Sequence, residues 1–460
     1  MTTGAGRRPQ AGSPVPAAEA QGGTGADAGS VARAGTGARA AARAGRPAAS
    51  PGEYRHRPRG WLRHYAGLAG PGGVQATRLA FERDGTERLR LLTAAAGRRA
   101  TRRLASRPSM RSLVALPGAR FRWRDVPAPP PPGPLAATVR PLAIATCDMD
   151  RPLVLGATPL PLPLQLGHEC VAEVVQVGEL VAGVRPGDRV VVPYQISCGN
   201  CIPCRAGRSG SCAGVPPLSM YGFGISGGPW GGALADLLAI PYADAMLVPL
   251  PAGVDPAAAA SVCDNVADGY KHVGPHMPAL LAADPDAEVL VVGGVERHPV
   301  YTASVPLYTC LAARALGARN VHLVDSRPGV RAQAERLGVA TLRPREARRR
   351  RPAPLVADVS SSPVGLALAL SRTGPDGICS SIGGLHHTAR LPMLLSYVRN
   401  LTFHMGRTPS RRLIPAVLEL MASGRLQPEA VTTRVARLDD APAALREHLA
   451  ESAVKTIFVA

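Results

Sequence analysis

Lysine is almost missing from this chain: Lys271 and Lys455 are the only two among 53 basic residues. Positive charge is carried by arginine instead, as a strongly Arg-biased codon usage would produce. No run approaches 18 uninterrupted apolar residues, which excludes an ordinary membrane-crossing helix. No secretory h-region is recognisable either. The nine cysteines are therefore expected in a reducing cytoplasm, with thiolates available to a metal. A length of 460 residues leaves room for two or three domains.

The charge that is present is unevenly spread. Residues 1–109 hold 19 Arg and 6 acidic residues, so 13 of the 20 net positive charges lie there. This leader is rich in Ala, Gly, Arg and Pro, and such a composition buries too little apolar surface to offset its ordering entropy. It reads as a disordered basic extension, with Met110 as the functional start. Two alternatives stay open for it: an arm for nucleic acid or an anionic surface, and an organelle transit peptide. Neither a membrane nor a nucleic-acid partner is expected of the folded part.

Four cysteines stand in one short loop, Cys198, Cys201, Cys204 and Cys212. Thiolates this close can complete a tetrahedral shell around Zn²⁺, and repeated two-residue gaps are typical of such sites. An iron–sulfur run begins with similar gaps but puts its fourth cysteine after three residues, followed by proline; here the gap is seven and Ala213 follows. A disulfide framework is the remaining alternative, and it suits a short secreted chain better than this one.

The texture of the chain changes near residue 265. Before it lie short strands, turns and prolines: Val171 to Val177 alternates weakly and ends at Gly178, and Arg189 to Pro193 reads as a strand after Gly187-Asp188. After it, apolar strands alternate with Ala/Leu-rich helices. Val289–Val292, Val321–Val324, Leu355–Val359 and Ile378–Ile382 read as strands, and Leu311 to Leu316 before Gly317 as a helix end. That alternation predicts a parallel doubly wound sheet.

Several motifs keep a fixed order: Cys147-Asp148-Met149-Asp150, then Leu166-Gly167-His168-Glu169, then Arg185-Pro186-Gly187-Asp188-Arg189-Val190, then the four-cysteine loop. In this order and spacing, from about Met110 onward, the chain resembles the zinc-containing medium-chain alcohol dehydrogenases. The resemblance implies an α/β protein: a GroES-like, mostly β catalytic domain over 110–264 to which 408–460 return, and a Rossmann domain over 265–407. It also implies a structural zinc on the four cysteines and a catalytic zinc on Cys147, His168 and a third ligand. Asp264, six residues before Tyr270, matches the third position, with Cys263 one residue out of register as its competitor. Asp150 would support the metal ligands, and Glu169 would be a transient ligand or charged neighbour. Met149 departs from the family, which carries Ser or Thr there to start a proton relay, and a thioether passes no proton.

The implied cofactor is NAD, with NADP possible. Its glycine turn is altered. A strand ends in Gly293-Gly294, but Val295 to Tyr301 lacks the following glycines, and Pro299 stands where a helix should begin. The helical pattern resumes near Leu307. A folded-back insertion, a turn that has lost its function, and a local reading-frame error are the three readings of this stretch. Asp325, ending the next strand, would bond the ribose hydroxyls, while Arg327 keeps a 2′-phosphate possible. Gly383 would approach the nicotinamide, or simply turn the chain at a strand end. The expected activity is zinc-dependent hydride transfer between NAD(P) and an alcohol, aldehyde or polyol, in a dimer or tetramer. A zinc-stabilised relative that only binds a metabolite or partner is the alternative.

Overall fold

The computed structural model describes Pro108 to Ala460 apart from residues 159, 161, 217, 224–229, 385–387 and 450–452. The leader expected to be disordered, with its two alternatives, falls outside the described residues up to position 107.

The first half builds two antiparallel arrangements. Strands β1 (Ser109–Leu116), β2 (Arg120–Pro127) and β4 (Leu164–Gln165) form a three-stranded sheet in the order β2-β1-β4. A seven-stranded sheet takes β3 (Ala137–Ala145), β5 (Glu169–Val177), β6 (Arg189–Val192), β7 (Leu238–Ile240) and β8 (Val248–Pro249). Its last two members come from the far end of the chain: β15 (Arg434–Arg437) and β16 (Thr456–Val459). β16 runs antiparallel to β3, pairing Ile457 with Ala145 and Phe458 with Ile144. That pairing brings Lys455 beside the residues that follow β3, which matters for the site.

The second half is one six-stranded parallel sheet. It takes β9 (Glu288–Val292), β10 (Asn320–Val324), β11 (Ala340–Leu342), β12 (Ala353–Asp358), β13 (Thr373–Ser381) and β14 (Thr402–Met405), in the order β11-β10-β9-β12-β13-β14. Numbered within the sheet, this is the 3-2-1-4-5-6 order of a doubly wound fold, whose crevice opens where the order reverses, at the C-terminal ends of β9 and β12. β9 is buried on both faces: Val289 and Val291 join one apolar cluster, Leu290 and Val292 the other. A strand covered by helices on both sides has to be apolar throughout, as Val-Leu-Val-Val is.

Of the helices, α1 (Asp150–Val154) follows β3, α2 (Ser304–Ala315) follows β9, α3 (Pro328–Arg336) follows β10, and α4 (Pro363–Arg372) follows β12. α5 (Met393–Val398) precedes β14, and α6 (Ser410–Ala422) follows it. α2 begins at Ser304, three residues before the expected resumption at Leu307. Pro306 does not break it, because a first-turn residue has no intrahelical partner for its amide and proline loses nothing there. Around Tyr270 the chain forms a single π turn, Val262–Val266, and then a short helix, Ala267–Lys271.

Candidate active site

Cys147 sits where β3 leaves its sheet, and its amide donates to Asp150 Oδ2 at 2.9 Å, a local loop that sets both residues. His168 immediately precedes β5, which opens at Glu169, and both follow Gly167. The backbone at Gly167 has φ +94°, and a Cβ there would lie 2.6 Å from the Leu234 backbone nitrogen. Only glycine fits, so this residue decides where the imidazole points. Asp264 comes from the π turn, whose wider winding often marks functional positions.

These elements bring four buried side chains together. The donor atoms of Cys147, His168, Glu169 and Asp264 all lie within 4.8 Å of one another. Asp264 Oδ2 is 3.1 Å from Cys147 Sγ and 3.4 Å from His168 Nε2. His168 is 3% exposed, yet neither ring nitrogen completes a hydrogen bond among the described residues. Leaving buried polar atoms unpaired is costly, and a cation among these donors would supply the missing partner. Burial first, then the carboxylates of Asp264 and Glu169, push the Cys147 thiol well above its ordinary range. For His168 burial works toward the neutral ring, but the neighbouring Asp264 and Asp150 outweigh it and raise its pKa. The cluster is thus overloaded with negative potential, which a divalent metal offsets. One thiolate, one imidazole and one carboxylate suit zinc and leave a fourth position open.

Cys263, the competitor for the third position, points elsewhere. Its sulfur accepts the Cys170 amide at 3.4 Å and lies 3.6 Å from the His168 carbonyl oxygen. Asp150 Oδ1 stands 4.0 Å from His168 Nδ1, beside the ring but beyond hydrogen-bond length. Three further residues escaped sequence reasoning. Asn265 Nδ2 donates to Cys147 Sγ at 3.2 Å and to Asp264 Oδ2 at 3.1 Å. Lys455 reaches Glu169, and Phe223 lies 4.8 Å from His168 between ring centroids. Only Lys455 had a signal in the sequence, as one of just two lysines.

The four loop cysteines also converge, with their sulfurs within 4.8 Å of one another. Cys212 Sγ is 3.5 Å from Cys198 Sγ and 3.8 Å from Cys201 Sγ. Disulfides are excluded by distances so far above about 2 Å. A tetrahedron of zinc–sulfur bonds near 2.3 Å has edges of about 3.8 Å, so the spacing fits. Backbone amides of Cys198, Ala213 and Gly214 point at the sulfurs. Such amide donors bring the Cys201 thiol down to about 6.

The expected cofactor residues are arranged differently. Asp325 is wholly buried and its carboxylate accepts four donors: the amides of Gly294 and Arg327, and Arg327 Nε and Nη2. It has no free lone pair directed at a ribose. Residues 295–303 fold back over Gly294, where a Cβ would meet Pro299 Cγ at 2.6 Å. The segment doubles back as an insertion would, but it covers Gly294 and does not leave it open toward a phosphate. In this conformation the turn does not offer a dinucleotide its usual cradle. Gly383 turns the chain after β13 at φ +80°, its amide donating to Ser381 Oγ.

Residues 133–252 match the family model for the alcohol dehydrogenase GroES-like domain. A probable zinc-binding alcohol dehydrogenase of Mycobacterium tuberculosis is 30% identical over 342 residues, covering 72% of this chain and 83% of that protein. The chain belongs to the zinc-containing medium-chain alcohol dehydrogenases. Among solved structures, alcohol dehydrogenase TADH from Thermus sp. ATN1 superposes with a TM-score of 0.67 at 30% identity, covering 76% of this chain and 99% of that one. A glutathione-independent formaldehyde dehydrogenase of Pseudomonas aeruginosa is 30% identical over half of this chain and 57% of its own. As a medium-chain alcohol dehydrogenase the protein is an oxidoreductase, and nothing in the comparisons favours a purely binding role.

Proposed function

We propose that this alcohol dehydrogenase holds one zinc on Cys147, His168 and Asp264, with Glu169 alongside, and a second on Cys198, Cys201, Cys204 and Cys212. On this reading it transfers hydride between NAD(P) and a small alcohol or aldehyde. The observation that carries the proposal is His168, buried among three acidic donors with both ring nitrogens unsatisfied. Zinc in that position supplies a Lewis acid that polarises the substrate oxygen and lowers the pKa of a bound hydroxyl. The chain's own residues then divide the work. Asn265 fixes Cys147 and Asp264 by two hydrogen bonds, and Phe223 and Tyr194 give the site an aromatic wall. Burial holds the Tyr194 hydroxyl well above its usual pKa, so it stays protonated near neutrality. Met149 has no hydroxyl to pass a proton onward, so the proton leaves through water or another group.

The two sheets support dividing the described chain near residue 264 and again near 408. A homodimer or larger assembly belongs to the same proposal. β14 is an edge strand, and beside it Leu394 is 77% and Tyr397 81% exposed, apolar surface of the kind a second copy covers. No helix among the described residues is long and apolar enough to cross a membrane. The thiol clusters suit a reducing cytoplasm.

The deciding test counts zinc per chain and measures NAD(P)-dependent oxidation of a panel of short alcohols and aldehydes. Two zincs are expected in the wild type, falling by one in Cys198→Ser and by one in His168→Ala, with activity abolished only in the second. A wild-type protein carrying one zinc that His168→Ala leaves in place would sink the reading.

A further inference from the structure

Donors that a dinucleotide would use in the crevice bond to the chain's own carboxylates. In a doubly wound fold a pyrophosphate needs two sets of donors: the amides of the turn after the first strand, and the free amides at the N-terminus of the next helix. Donors from both sets are committed here. The Gly294 amide donates to Asp325 Oδ2 at 2.9 Å. At the start of α2, Ser304 N donates to Asp148 Oδ1 and Val305 N to Asp148 Oδ2, each at 3.0 Å. Pro306 has no amide, and Leu307 N already reaches the Ala303 carbonyl at 3.3 Å. Every amide of the first turn is thereby accounted for, with a carboxylate from the loop after β3 in the place an anionic ligand would take. Ser304 Oγ and Thr302 Oγ1 donate to the same Asp148 oxygen.

The segment between these points is tied down along its length. Pro299 lies against Gly294. Arg327 Nη1 donates to the Tyr301 carbonyl at 2.9 Å, and Ser326 Oγ to that of Glu296 at 2.6 Å. The Glu296 carboxylate bonds Ser362 Oγ at the start of α4. A dinucleotide brought into this crevice would meet Pro299, two carboxylates of its own charge sign, and no uncommitted first-turn amide.

We propose that residues 295–303 are a plug docked in the dinucleotide crevice, latched through Thr302 and Ser304 onto Asp148, and that cofactor binds by displacing it. This rests on the dehydrogenase reading above. A protein whose binding-competent form is only fractionally populated binds with an affinity reduced by that fraction, so weakening the latch tightens binding without adding any contact to the ligand.

NADH fluorescence titration of the zinc-loaded protein tests it, comparing wild type with Thr302→Ala on the plug and Asp148→Asn on the opposing loop. Zinc content is measured on each, because Asp148 adjoins Cys147. Weak wild-type binding that tightens at least tenfold in Thr302→Ala supports the plug, and Asp148→Asn should tighten it further with zinc retained. Affinities equal in all three proteins overturn it, whether tight or weak. No binding by any of the three at millimolar NADH overturns it as well. Tightened NADH binding by variants that oxidise no alcohol would instead defeat the dehydrogenase reading and leave the plug standing.

Discussion

Lys455 Nζ lies 2.8 Å from Glu169 Oε2 and 3.0 Å from Oε1, with both side chains at 0% exposure. The same ammonium donates to Asn265 Oδ1 at 2.7 Å and to the Thr146 carbonyl. Residues 286 positions apart thus meet behind Cys147, because β16 pairs with β3. Burial disfavours the ammonium, but the Glu169 carboxylate outweighs it and raises the Lys455 pKa. The ammonium offsets part of the negative charge that Glu169 brings to the metal cluster. Asn265 is tied to both the lysine and the sulfur, so the C-terminal strand and the π turn are braced as one unit.

Removing the lysine should be expensive. Lys455→Met leaves the Glu169 carboxylate buried without its partner, and stability is expected to fall by about 3–5 kcal/mol. Urea denaturation of the zinc-loaded protein checks this. Lys455→Arg, which keeps a cation with hydrogen-bond donors, should lose less. An unchanged midpoint in the methionine variant would mean that the pair adds nothing.

Asp150→Asn keeps the shape of the loop around Cys147 but removes the charge beside His168. Zinc affinity at the cluster should weaken by roughly 10- to 100-fold. Competition with a chromophoric chelator gives the number, and the four-cysteine site, far along the chain, serves as the internal control. Equal loss at both sites would point to general destabilisation.

Gly167→Ala forces a Cβ to within 2.6 Å of the Leu234 nitrogen at a φ of +94°. The strand start carrying His168 has to shift. Stability is expected to drop by about 1–3 kcal/mol, and the zinc count should fall by up to one per chain. Calorimetry and metal analysis on the same sample would show whether the two losses occur together.

His272 supplies a pH dependence away from the metal residues. It is fully buried, 2.9 Å from Ser380 Oγ through Nδ1 and 3.6 Å from Asp268 through Nε2, with Lys271 as its chain neighbour. Burial first, and then the Lys271 charge, bring its pKa down to about 4 from 6.5, against the opposing pull of Asp268. The unfolded chain therefore takes up this proton first as pH falls. The stabilisation is complete above pH 6.5 and is lost between 6.5 and 4, up to about 3 kcal/mol. Denaturation midpoints at pH 7.5 and pH 5 should differ by less in His272→Gln than in the wild type.

Local patterns were legible without coordinates. The strand runs at Val289, Val321 and Leu355 are β9, β10 and β12; β9, covered on both faces, is apolar from Val289 to Val292. The cysteine spacing forecast a cluster because its members lie within one loop. Asp264 was preferred over Cys263 on register alone, and the π turn directs the two side chains apart. α2 starts earlier than its sequence pattern suggests, because a proline reads as a breaker in sequence whereas in a first turn it removes an amide that has no partner.

Fold class, the order of the metal-binding residue types and the disturbance in the glycine turn are all written in spacings of a few residues. What those residues do to one another depends on contacts that form only in the folded chain. Lys455 pairs with Glu169 across 286 positions and Asp148 caps α2 across 156, between elements whose relative placement no local pattern encodes, whereas Arg327 holds Asp325 from only two positions away. Their geometry depends on how β16 lies along β3 and how the loop after β3 meets the first turn of α2. Those are packing outcomes, set by the burial of whole strands and not by the polar residues that profit from it.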